Sequence, residues 1–211
     1  MNHCFKTVIS IVLILITIHS CSQNKINHPP ECIKLNNEGV SYLMNYPMNG
    51  EKGLNKAIDL FKQAINCDST NTVFYTSLAT AYEKKHNYNG EMMMLDKSLK
   101  LTANNPDLLL EKGMLFEVKG NFDSAKIIYH LTQVEYEKRL NKQPDEIGLI
   151  KGFILLKGVI GGKEAAIKEL DKQIKIHPKF SLELSKEYSF YQYFNRHNFV
   201  FRLPTERDLD K

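Results

Sequence analysis

The chain has no tryptophan, no HExxH, no paired CxxC and no apolar run of the roughly 20 residues that a membrane-crossing helix needs. The missing motifs exclude the zinc sites that such spacings make, and His86, His130, His177 and His197 stand at no ligand spacing either. Charge of one sign is also scarce, with 28 Lys+Arg against 24 Asp+Glu. The two signs are interspersed, so a nucleic-acid partner is not expected. The lack of tryptophan says nothing about the fold. No nucleophile with an attendant base is visible, and the chain is not expected to be an enzyme or to need a cofactor.

What is present begins with a short leader. Lys6 is its only cation, and an apolar stretch of 11 residues, Val8 to Ile18, contains only Ser10 and Thr17 as polar members. That is too short to span and reads as the hydrophobic region of a secretory signal. Ile18-His19-Ser20-Cys21 resembles the bacterial lipobox, which implies cleavage before Cys21 and its fatty-acyl (palmitate) modification. Ile18 stands where leucine is commoner, and His19 is unusual at its place. A plain signal peptide cut near Ser20 is the competing reading. Residues 1–20 are then the signal peptide and 21–31 a polar tether containing Pro29-Pro30. The tether has no aspartate after Cys21 and no acidic cluster. By resemblance to lipoproteins this implies the outer membrane, facing the periplasm.

The rest of the chain repeats. Gly113, Phe116, Ala125 and Tyr129 set small and aromatic residues in alternation, and a step of 34 back reaches Ala79, Tyr82, Glu91 and Leu95. Ser98 follows in the same helix, and Glu91 occupies a place where alanine is expected. Further back stand Gly39, Tyr42, Ala57, Phe61 and Ala64, displaced by a six-residue surplus at Asn45 to Gly50. A fainter fourth unit has Ala166, Leu170 and Pro178, with Ile154 at the small-residue point. This pattern resembles the tetratricopeptide repeat, whose unit is two antiparallel helices. The resemblance implies an all-α fold: a short right-handed superhelix of three to four helix hairpins over 32–180, in units of about 32–71, 72–105, 106–146 and 147–180. A capping helix and tail, 181–211, would cover the last hydrophobic face. A different all-α repeat or bundle is the alternative.

The family binds protein or peptide partners in a concave groove lined by the first helix of each hairpin. Repeat arithmetic places there Asn36, Val40 and Leu43, then Val73, Thr76, Thr80 and Glu83, then Asp107, Leu110, Met114 and Glu117, and finally Lys151 and Leu155. Lys151 is the only cation of this set, so an amphipathic or mildly basic partner segment is expected rather than an acidic chain end. Each of these residues has an alternative role as packing or solvated surface. The expected function is a lipid-anchored periplasmic scaffold serving an envelope assembly or secretion complex. A permanent structural subunit is one other reading, and an enzyme with dispersed active-site residues is another.

Gly158-Val159-Ile160-Gly161-Gly162-Lys163 looks like a phosphate loop but is one residue short, follows a helix, and has Glu164 in place of Ser/Thr, so it is expected to be the turn between the fourth pair of helices. Met92 to Met94 reads as core filler before copper ligation. Cys32 and Cys67 fall at the same end of the first hairpin and are a candidate disulfide, with two free thiols as the alternative. A helix from Ser181 to Phe194, presenting Leu184, Tyr188 and Tyr191 on one face, is expected to cap the fourth unit, and Phe199 to Leu203 to dock back or recruit a partner.

Overall fold

The computed structural model describes residues 28–203; the leader, Cys21 with its expected lipid, most of the tether and the charged end Glu206 to Lys211 lie outside them. Helices make up the described chain, and no strand occurs among the described residues. The first hairpin is α1 (Pro30–Met44) and α2 (Tyr46–Cys67), the second α3 (Thr72–Lys84) and α4 (Tyr88–Leu101), the third α5 (Pro106–Val118) and α6 (Phe122–Lys142). α7 (Ile147–Ile176) is a single run kinked at Gly162, whose φ of 79° only glycine adopts freely, so it supplies both helices of a fourth hairpin. The chain closes with a 3₁₀ turn (Pro178–Phe180), α8 (Ser181–Ser185), α9 (Tyr188–Tyr191) and α10 (Arg196–Phe201). This is the all-α stack of hairpins that the repeats imply.

Local chemistry fixes where the helices start. The side chains of Asn71, Asn87, Asn105 and Asn121 each accept a backbone N–H from the first turn of α3, α4, α5 and α6. Asn71 and Asn105 are 34 apart, as are Asn87 and Asn121, so the cap recurs with the repeat. α1 starts at Pro30 rather than at Cys32, because a proline's fixed φ suits the first helical position. The six-residue surplus forms a helical turn ending at Gly50, where φ is 57°.

The packing points sit inside the hairpins. A Cβ on Gly39 would lie 2.6 Å from the Phe61 ring, and one on Gly113 2.6 Å from the Tyr129 ring. Ala57, Ala64, Ala79 and Ala125 are buried. Leu54, Phe61, Leu78, Leu95 and Leu115 join the first three hairpins in one apolar cluster. Met94 belongs to it, while Met93 is exposed.

The expected turn between the fourth pair of helices does fall within Gly158 to Lys163, but it narrows to Gly162, because the first helix runs on through Gly158. Gly158 is instead a close-approach point, its Cβ position 3.2 Å from Ala166 and from Phe194. The cap is not one helix: it breaks between α8 and α9, which turns Tyr188 outward to bond Asp171 while Leu184, Tyr191 and Phe194 are buried against Ile150, Ile154, Ala166 and Leu170.

Candidate functional site

The face expected to line the groove divides into an open part and an occupied part. In the first unit, Asn36 is buried with its side-chain oxygen unpartnered, and Val40 and Leu43 are half-buried against the core of the first hairpins. These three serve packing. Val73 is exposed, and the hydroxyls of Thr76 and Thr80 donate back to the carbonyls of Val73 and Thr76 at 3.0 and 3.1 Å, leaving a bland, open strip.

From Glu83 onward the face is filled by the chain's own end. α10 runs from the fourth unit back toward the second, near the C-terminal ends of the first helices of three hairpins. Those ends carry partial negative charge and favour cations. Arg196 donates two hydrogen bonds to Glu117, at 2.8 and 2.9 Å, and a third to the carbonyl of Val159. Arg202, in a left-handed conformation just past the helix, donates to both oxygens of Glu91 at 2.6 and 2.9 Å and approaches Glu83 at 3.4 Å. Between the two arginines, Val200 is fully buried in a cluster with Leu110, Met114, Phe153 and Leu156, and Phe199 and Phe201 pack at its edge. Tyr129 donates to Glu117 at 2.9 Å, and Tyr136 donates to Asp107. The strip is therefore apolar in the middle and acidic along its border.

Crowded carboxylates respond as expected. Glu111 is pushed up to about 7, first by burial; Arg202 opposes the rise, and Glu83, Glu91 and Asp107 add to it. Burial also raises Glu91, against the Arg202 guanidinium.

Lys151, expected as the groove's cation, is taken up by the cap, 3.0 Å from Glu183 and 3.1 Å from Glu187. Arg196 and Arg202 meet the expected groove residues Glu117 and Glu83, and repeat arithmetic does not reach these arginines because they lie outside the repeats. Leu155 is half-buried between the α10 cluster and the cap cluster. Glu91 and Glu111 were absent from the expected set as well. Glu91 carried a usable signal: a carboxylate at a buried small-residue point requires a cation nearby. Beside the Arg196–Glu117 pair a cleft of about 400 Å³ opens, lined by Phe122, Ala125, Tyr129 and Ile160 among others.

At the far end, Cys32 and Cys67 are joined in a disulfide with their Cα atoms 5.5 Å apart. Cys32 is buried with Ala64 and Phe74. His28 reaches Asp68 at 2.5 Å, so the first described tether residue lies against the domain.

No family model matches this chain, and no curated protein matches it. Among solved structures, a crystal structure of MamA is 20% identical, with 71% of this chain and 80% of that one covered and a TM-score of 0.45. A MamA AMB-1 structure is 15% identical, covering 85% and 88%, with a TM-score of 0.41. The structure of YrrB, described as a TPR protein with an unusual peptide-binding site, is 17% identical, covering 74% and 96%, with a TM-score of 0.24. The assignment of this chain as an all-α array of helix hairpins rests on its own hairpins, caps and packing glycines.

Proposed function

We propose that this protein is a lipid-anchored scaffold of the bacterial cell envelope, tethered through Cys21 at the periplasmic side of the outer membrane, whose concave face binds a segment of a protein partner. An accessory role in an envelope assembly or secretion complex fits that position. The observation that carries the binding role is the seating of α10: an amphipathic segment with two arginines fills the acidic and apolar strip where a partner is expected. The leader and Ile18 to Cys21 support the anchor. A permanent structural subunit is the second reading, favoured by how fully Val200 is buried.

Metabolic labelling with a fatty-acid probe tests the anchor: wild type takes up label and Cys21→Ala does not, and label persisting in the variant refutes it. Purification from detergent-solubilised membranes tests the role. A partner that dissociates as salt is raised indicates a binding cycle dominated by the acidic strip; one that remains stoichiometric throughout indicates a fixed subunit.

A further inference from the structure

We infer that α10 is an exchangeable occupant of the concave face, and that the partner displacing it carries a segment of the same chemistry: two arginine or lysine residues about six positions apart with apolar residues between them. This rests on the reading of the concave face as the partner site.

Four observations lead there. The array closes its end mainly without α10, because Leu184, Tyr191 and Phe194 cover Ile150, Ile154 and Leu170 and α10 adds only Phe199 at the edge of that cluster. α10 does not extend the stack as a further repeat would; it packs on both α5 and α7, against the expected groove residues Leu110 and Met114. It is a helix of six residues, too short to be stable alone, so it persists only while docked. Finally, the strip is more acidic than α10 requires: Glu83, Glu91, Glu111 and Glu117 face two guanidinium groups, and Glu111 is left without a hydrogen-bonded cation among the described residues. Removing α10 uncovers all four carboxylates around Leu110 and Met114. Such a surface attracts a cationic amphipathic segment and repels an acidic one.

The tail competes as a tethered ligand at millimolar effective concentration, so an added segment gains access only when it binds the same groups. The test uses the isotope-labelled full chain and an unlabelled peptide with the sequence of residues 195–203, followed by amide hydrogen exchange. At millimolar peptide, the α10 amides are expected to exchange about tenfold faster or more, with α1 to α6 unchanged. A control peptide with glutamate at both arginine positions should have no effect. An Arg196→Gln chain, which keeps the buried Arg202–Glu91 pair, should respond at lower peptide concentration.

The inference is overturned if α10 amides exchange only as slowly as those of α5 with peptide present. It is overturned equally if α10 opens but both peptides act alike. Faster α10 exchange that grows with protein concentration and no peptide would assign the strip to a second copy's tail, against the partner assignment. Failure of the underlying reading looks different: a co-purified partner still bound at saturating peptide, while α10 exchanges as expected, places that partner elsewhere. A partner released while α10 stays protected refutes the exchange alone.

Discussion

The Arg202 guanidinium donates two hydrogen bonds to Glu91, a residue 111 positions earlier whose side chain stands where the repeat pattern expects alanine. The pair explains the departure from the pattern: Glu91 is 1% exposed and tolerable there because a cation reaches it from the far end of the chain.

Removing one partner should therefore cost more than removing both. Arg202→Ala leaves a buried carboxylate unpaired and is expected to cost roughly 3 kcal/mol, whereas adding Glu91→Ala restores the pattern residue and most of that loss. Urea unfolding of the two single variants and the double variant checks it. Additive losses within about 0.5 kcal/mol would contradict a coupled pair.

Glu111 makes stability depend on pH near neutrality. Its pKa is raised to about 7 in the fold, above an ordinary unfolded value near 4.3, so the protonated form is the one the fold favours. The contribution is full below the unfolded value and is lost as pH rises through about 7. Wild type should gain stability from pH 8 to pH 6, and Glu111→Gln should flatten that slope in denaturant titrations at the two pH values. An unchanged slope would remove Glu111 as its source.

Two glycines should behave differently when replaced by alanine. Gly113→Ala puts a Cβ 2.6 Å from the ring of Tyr129, whose hydroxyl is tied to Glu117, and should cost about 1 to 3 kcal/mol by overpacking. Gly120 has nothing within 4 Å but a φ of 77°, and its substitution should cost about 1 kcal/mol through backbone strain. Urea midpoints decide, and a smaller loss at Gly113 than at Gly120 would argue against the packing role.

The disulfide closes most of the first hairpin. With Cys32 and Cys67 separated by 35 in sequence, the loss of the bridge should cost about 3 to 4 kcal/mol by loop entropy. Because repeats unfold in neighbouring units, reduction should raise amide exchange in α1 and α2 well before α5 and α6. Exchange rising equally in all hairpins would show that the link does not act locally.

The two ends of the cap should separate on truncation. A chain ending at Lys179 exposes Ile150, Ile154 and Leu170 and should aggregate, while one ending at Asn195 keeps the cap core but leaves Glu91 and Glu117 without their arginines. The longer chain should remain helical and melt below the full protein, as read by circular dichroism. An unchanged melting temperature would mean that α10 adds nothing to the fold.

The sequence by itself determined the hairpins. Ala79 and Gly113 stand one repeat step apart, and Gly39 one step plus the surplus at Asn45 to Gly50, because a helix pair meets closely only where a side chain is missing or small; asparagines at steps of 34 cap helices that recur at the same step. These are local relations, written in spacings of a few residues along one helix face. The tertiary structure decided what occupies the concave face. Nothing in the spacing of Arg196 and Arg202 selects Glu117 and Glu91 from 24 acidic residues, since the choice depends on where α5, α7 and the broken cap bring the chain end. The same holds for Lys151, whose ion pairs with Glu183 and Glu187 exist only once the cap has folded over α7. Helical periodicity is set by backbone geometry that every residue shares, whereas the partner of a buried charge is set by which distant group the packing leaves within about 3 Å.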